Sequence, residues 1–222
     1  MRRVLFVWHG VEVHSYPALL YLGLTFGFYA GCAAAASMGL DPDRAAAAIL
    51  ILIVPALVGS RLWFVLGNWR FYRRHPRRIW GRTEGGAALV GGLLLALALS
   101  PALLAALALP FGAFWDAATF TLLVGMIFTR VGCLLNGCCA GRPSEGRLAL
   151  RLPGGAGRWE RRHPVQLLEL ATAAALLAGC LAISLTERPS GAIFLFALAG
   201  YGCARSIIDP LRETRGVRKE LS

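Results

Sequence analysis

Apolar residues along this chain fall in long blocks, not in stripes or alternations. The blocks run over residues 17–39, 45–59 continuing to 67, 86–109, 112–129, 167–185 and 191–204. Each is near or slightly under the roughly 20 residues that carry a helix across a bilayer. They are apolar on every side, which excludes the one-faced helices of a soluble bundle. The pattern therefore predicts an all-α fold, a polytopic membrane helical bundle of about six transmembrane helices. Runs of small residues at 33–36, 45–48 and 171–175 suit close contact between membrane helices. Trp8, Trp63, Trp69, Trp80, Trp115 and Trp159 lie at or near block ends, where an interfacial aromatic belt would sit. The first apolar run, 4–8, is broken by His9, Gly10, Glu12 and His14, so no cleaved signal peptide is expected.

Composition agrees with the pattern. Apolar residues make up 57% of the 222 residues and charged ones 16%, against about 25% in soluble domains. The chain is expected to form a single integral membrane domain over 1–222. Its net charge of +11 is concentrated in three places. One is a basic loop, 68–84, with Arg70, Arg73, Arg74, Arg77, Arg78 and Arg82. The second is the segment 130–163, a polar signature followed by a small head loop. The third is the basic tail, 210–222. Beside six spans this charge suits anionic lipid headgroups, and nucleic acid is not an expected partner. An even number of spans puts all three clusters and the N-terminus on one side. The positive-inside rule would name that side the cytoplasm.

Cys32, Cys180 and Cys203 stand singly inside apolar blocks, as packing residues do. Cys133, Cys138 and Cys139 form a C-x4-C-C cluster without the paired C-x2-C spacings of a zinc site. Small residues for a tight turn are the favoured reading of this trio; a redox or metal role is the other.

Polar groups recur beside the blocks in a definite order. Tyr16 opens the first, and Arg61 lies inside the second in Gly59-Ser60-Arg61-Leu62. Gly85-Gly86 and Gly91-Gly92 mark the third. The run Thr129-Arg130-Val131-Gly132-Cys133-Leu134-Leu135-Asn136-Gly137-Cys138-Cys139-Ala140-Gly141-Arg142 follows the fourth. His163-Pro164-Val165-Gln166-Leu167-Leu168-Glu169 opens the fifth. Tyr201, Arg205, Asp209 and Arg212 share one helical face of the sixth. Within that face Arg205–Asp209 and Asp209–Arg212 pairs are expected. An arginine at the bilayer centre costs about 2.5–3.5 kcal/mol, so Arg61, Arg130, Arg142 and Arg205 are expected to face one polar cavity. They are too many for Glu169, Asp209 and Asp116 to neutralise, and the anion at hand in a membrane is a phospholipid phosphate.

In this order and on these spans, from Tyr16 to Arg212, the chain resembles the prolipoprotein diacylglyceryl transferase family. The resemblance implies a multi-pass enzyme of the bacterial inner membrane. It would move the diacylglyceryl group of phosphatidylglycerol to the lipobox cysteine thiol of a prelipoprotein and release glycerol phosphate. No cofactor or metal is implied. A thiol that expels a phosphate ester needs a proton acceptor and preorganised cations for the departing charge. Arginine supplies the latter through its bidentate fork. Arg130, Arg205, Tyr201 and Tyr16 are assigned to catalysis. Arg61, Gly91, Gly92, Asn136, Gly141, Arg142, His163, Gln166, Glu169, Asp209 and Arg212 are assigned to substrate binding. The alternative is a catalytically weak paralogue that binds anionic phospholipid or a membrane partner.

Several positions depart from the family pattern. Val90 stands where a His is common before the second glycine pair, leaving His163, His14 and Tyr201 as proton acceptors. Cys133 replaces a motif Asn and Asp209 an expected Glu. The segment between Arg142 and Arg162 is short, and the family's seventh span is not expected. The family places the N-terminus and site loops outside the cytoplasm, against the charge count; we follow the family.

Overall fold

The computed structural model describes residues 4–8, 10–79, 89–146, 149–153 and 159–213. Trp80, Arg82, Gly85 and Gly86, residues 147–148 and 154–158 of the head loop, and the tail from 214 onward lie outside the described residues. Among those described there are seven helices. They are α1 (Ser15–Ser37), α2 (Pro42–Gly67), the short α3 (Trp69–Tyr72), α4 (Leu89–Ala106), α5 (Phe111–Asn136), α6 (Val165–Ser184) and α7 (Ala192–Ile208). Six of them are long and apolar enough to cross a membrane, the last continuing through a 3₁₀ turn to Leu211. The protein is a multi-pass membrane protein of the all-α class.

The helix ends follow local chemistry. Asp41 caps α2 by accepting the Asp43 and Arg44 amides at 3.0 and 3.2 Å, with Pro42 in the first turn. The helix α5 does not stop at Thr129 but runs to Asn136, so Arg130 lies on its last turns. Gly137, at φ 74°, ends it as a left-handed C-terminal glycine. Two hairpins accompany the helices, one before α1 and one between α5 and α6. β1 (Val4–Trp8) pairs with β2 (Val11–His14), and β3 (Leu150–Pro153) pairs with β4 (Trp159–Arg162), both antiparallel.

Packing divides the chain into two compact units. One holds Met1–Leu40 with Gly112–Thr214; the other is built on Asp41–Phe111. The first contains α1, α5, α6 and α7 around Phe120, Leu123, Leu176, Cys180, Ile193 and Ala197. α1 and α5 approach through small residues: a Cβ on Gly27 would lie 2.7 Å from the Thr121 carbonyl oxygen. Asp116, buried on α5, accepts the Gly191 and Phe194 amides at 2.8 Å each and so caps α7 from a neighbouring helix. Among the described residues it pairs with no arginine, so it is not one of the counter-ions the sequence offered for them.

The second unit is an α2–α4 pair that meets across glycines. A Cβ on Gly91 would overlap Trp63 and the Gly59 carbonyl, and one on Gly92 would lie 2.6 Å from the Ala56 oxygen. Arg61 donates from Nε to the Ile79 carbonyl at 2.7 Å, with its guanidinium 5.6 and 5.7 Å from the Phe64 and Tyr72 ring centres. That carbonyl contact and the cation–π stacking tie the exit of α2 to the loop behind it.

Candidate active site

The polar groups of the first unit converge on the entrance of α6. Glu169 is 3% exposed. Its Oε1 accepts Arg205 Nη1 at 2.8 Å and Arg212 Nη1 at 2.7 Å, and its Oε2 lies 3.0 Å from Arg130 Nε. Asp209 Oδ1 takes Arg205 Nε at 2.8 Å and stands 4.0 Å from Arg212 Nε. Three guanidinium groups thus share two carboxylates, and one positive charge is left over. Arg130 is the least committed of the three. Its ion pair lacks hydrogen-bond alignment at Nε, and it makes no hydrogen bond among the described residues. A guanidinium held in place but with unspent donors is suited to an incoming anion.

The turn after α5 packs on the same face of α6. Gln166, one turn before Glu169 and 1% exposed, donates from Nε2 to the Cys138 carbonyl at 2.7 Å. The Cys138 amide bonds the Cys133 carbonyl at 3.1 Å. Cys139 then takes a left-handed φ of 62°, uncommon without glycine. These bends bring the sulfurs of Cys133, Cys138 and Cys139 within 4.8 Å of one another. Hydrogen bonds from Cys133 and Cys139 push the Cys138 thiol well below its ordinary pKa, with a smaller contribution from Asn136. Cys133 draws Cys139 down as well, but its contact with Cys138 leads the opposing effects that raise it. Tyr16, in the first turn of α1, lies against Gly132: a Cβ there would stand 3.6 Å from the Tyr16 ring.

Gly141 and Arg142 form a strap. The Gly141 amide bonds the His163 carbonyl at 2.9 Å, and the His163 amide bonds that of Arg142 at 3.1 Å. The Arg142 amide meets Leu211 at 2.9 Å and its Nε meets the Arg212 carbonyl at 3.0 Å. A Cβ on Gly141 would come within 2.6 Å of the Leu211 oxygen, so this backbone contact requires glycine. Arg142 itself is exposed, and the contact fixes the end of α7 that carries Arg212. Tyr201 is half-buried against the apolar core, one turn before Arg205.

Residues 3–221 match the model of the family described as prolipoprotein diacylglyceryl transferase. The chain belongs to this family. The phosphatidylglycerol–prolipoprotein diacylglyceryl transferase of Geobacter sulfurreducens is 30% identical over 207 residues, covering 91% of this chain and 79% of that protein. The protein of the same name from Trichormus variabilis is 28% identical over 217 residues, 91% of this chain and 76% of its own. That of Rhodopirellula baltica is 32% identical over 162 residues, 64% of this chain and 32% of its own.

Of the residues singled out from sequence, this transferase-family chain brings Arg130, Glu169, Arg205, Asp209 and Arg212 into one ion network, with Tyr16, Asn136, Gly141, Arg142, His163 and Gln166 in the turn and strap beside it. Tyr201 faces the apolar core of the same unit. Arg61, Gly91 and Gly92 belong to the second unit, where they serve the α2 exit and the α2–α4 crossing. Sequence reasoning missed Arg162. It is 6% exposed and donates to the Gly141 carbonyl at 3.1 Å and to Glu160 and Glu213 at 2.8 Å each. Burial opposes its charge, but Glu160 and Glu213 prevail and raise its pKa. The signal was there: Glu160 and Arg162 are two residues apart on a strand, and so on one face.

Proposed function

We propose that this protein transfers the diacylglyceryl group of phosphatidylglycerol to the lipobox cysteine thiol of prelipoproteins in the bacterial inner membrane. The acceptor thiol loses its proton. The sulfur attacks the glycerol carbon bonded to the phosphate ester, a C–S bond forms as the C–O bond breaks, and glycerol phosphate leaves with the electron pair. The observation that carries this reading is the arginine cluster on Glu169, with one cation in excess and Arg130 still able to donate. The departing phosphate gains charge as the bond breaks, and fixed donors aimed at that charge stabilise it without reorganisation. Arg130 and Arg205 meet the phosphate. Glu169 and Asp209 hold them in position, Arg212 and Arg142 complete the rim, and Tyr16 lies beside the path of headgroup or thiol. No cofactor enters the balance as written. The test is thioether formation on a lipobox peptide in phosphatidylglycerol vesicles, followed by mass. The expected result is transfer by the wild type and a loss of about 10²–10³-fold in Arg130→Ala, the scale of one lost oxyanion donor. Equal rates in the two proteins would overturn it. Lipid binding without transfer would favour the weak paralogue.

A further inference from the structure

The reaction needs a thiolate, and the arginine network has no group to make one: its cations hold phosphate and its carboxylates hold cations. Beside that network stand three thiols. Cys133 is buried on the last turns of α5, Cys138 is half-buried, and Cys139 is exposed, with all three sulfurs within 4.8 Å. Zinc–sulfur bonds of about 2.3 Å at tetrahedral angles place sulfurs about 3.8 Å apart, a short contraction from this arrangement. The turn that gathers them is built: Gly137 and Cys139 both take positive φ, and Gln166 clamps the Cys138 carbonyl at 2.7 Å. Among the described residues no histidine, carboxylate or further cysteine joins the group as a fourth ligand. Three protein ligands with an open fourth position make the pattern of a catalytic zinc site, not a structural one.

We infer that Cys133, Cys138 and Cys139 hold a zinc ion whose open position binds and ionises the acceptor's thiol. The inference rests on the transferase reading above for its substrate. A coordinated thiol is deprotonated outright, and its proton passes to solvent. The zinc-bound sulfur attacks the glycerol carbon, the C–O electron pair leaves on glycerol phosphate, and the resulting neutral thioether, a weak ligand, departs. No electron changes hands. The ion supplies the thiolate that neither Val90 nor a carboxylate of the network can generate. Because Gln166 and Glu169 sit one turn apart on α6, one helix face fixes both the sulfurs and the phosphate-binding arginines.

The experiment uses the full chain in detergent or lipid discs, reduced, stripped with a chelator and reloaded with zinc or with cobalt(II) as a coloured stand-in. The expected result is one equivalent of cobalt with sulfur-to-metal charge-transfer bands. Cys139→Ser, at an exposed position with little effect on folding, should weaken the bands, and Cys138→Ser/Cys139→Ser should abolish them. A lipobox peptide should shift the bands when it carries Cys and not when it carries Ser. Zinc should raise transfer at pH 7 by up to about 30-fold over stripped protein and flatten the rise with pH, since a free thiol of pKa about 8.5 is only a few per cent ionised there. Wild-type protein that binds no stoichiometric metal, or transfers equally well stripped and loaded while Arg130→Ala does not, overturns the zinc site and leaves the transferase reading standing. Cobalt and peptide thiol binding as described, with no thioether at any pH, sinks the transferase reading and leaves the site.

Discussion

Glu169 holds Arg130, Arg205 and Arg212 at once, a single buried carboxylate shared by three guanidinium groups. Removing one partner of a buried charge group costs about 3–5 kcal/mol because the others are left uncompensated. We therefore predict that Glu169→Gln destabilises the protein in detergent by about 3–5 kcal/mol, read as a lowered thermal midpoint. Phosphatidylglycerol should recover part of the loss and phosphatidylcholine none, since only the former brings a net anion to the arginines. Equal recovery by both lipids would show that the cluster does not receive lipid phosphate. The 4-4-3 spacing of Tyr201, Arg205, Asp209 and Arg212 made that face legible from the sequence, because a helix repeats locally. Which carboxylate serves which arginine was not legible. Asp116 turned to the amides of α7, and Arg61 to a loop carbonyl, because such choices depend on how helices approach one another.

The glycines of α2 and α4 act at the scale of elements. Adding a methyl at Gly91 drives it into Trp63 and the Gly59 carbonyl, so Gly91→Ala should destabilise the pair by about 1–3 kcal/mol. Gly202, in α7, has nothing within 4 Å of an added Cβ. Gly202→Ala should be neutral or stabilising by up to about 1 kcal/mol, through the reduced freedom of the unfolded chain. Unfolding midpoints of the two variants measured side by side check both signs, and matching losses would refute the crossing. The long helices were readable because each needs about 20 apolar residues. The hairpins were not: strands of 4 or 5 residues give too few repeats to distinguish an alternation from a broken apolar run. The extension of α5 to Asn136 was hidden by Arg130, which reads as the end of a span although arginine is a good helix former.

For the whole molecule, two rules give opposite orientations. The basic loops would lie in the cytoplasm by charge, while the family resemblance puts the site outside it. Cys139 is exposed and lies beyond the end of α5, which makes it a reporter for the signature turn. With the family orientation, a membrane-impermeant maleimide should label Cys139 in intact spheroplasts treated with a chelator to free it from any bound zinc, and Cys139→Ser should remove that label. Labelling only after lysis would mean that the charge rule prevails. Fold class and membrane character were plain from the blocks, because hydrophobicity acts over whole segments. The trio of thiols was not, because C-x4-C-C is no metal spacing until two left-handed residues fold it back on itself.

The Glu169 network also bears on how the chain enters its membrane. Helices leave the ribosome in order, so α5 delivers Arg130 first and α6 then brings Glu169 beside it. Only afterwards does α7 arrive with Arg205, Asp209 and Arg212. The earlier helices give the arginines at the end of this span a waiting counter-ion. Biogenesis of α7 thus draws on a residue of α6: a nascent chain that loses Glu169 should insert its last helix less efficiently, and the yield of folded Glu169→Gln in the membrane should fall below that of the wild type.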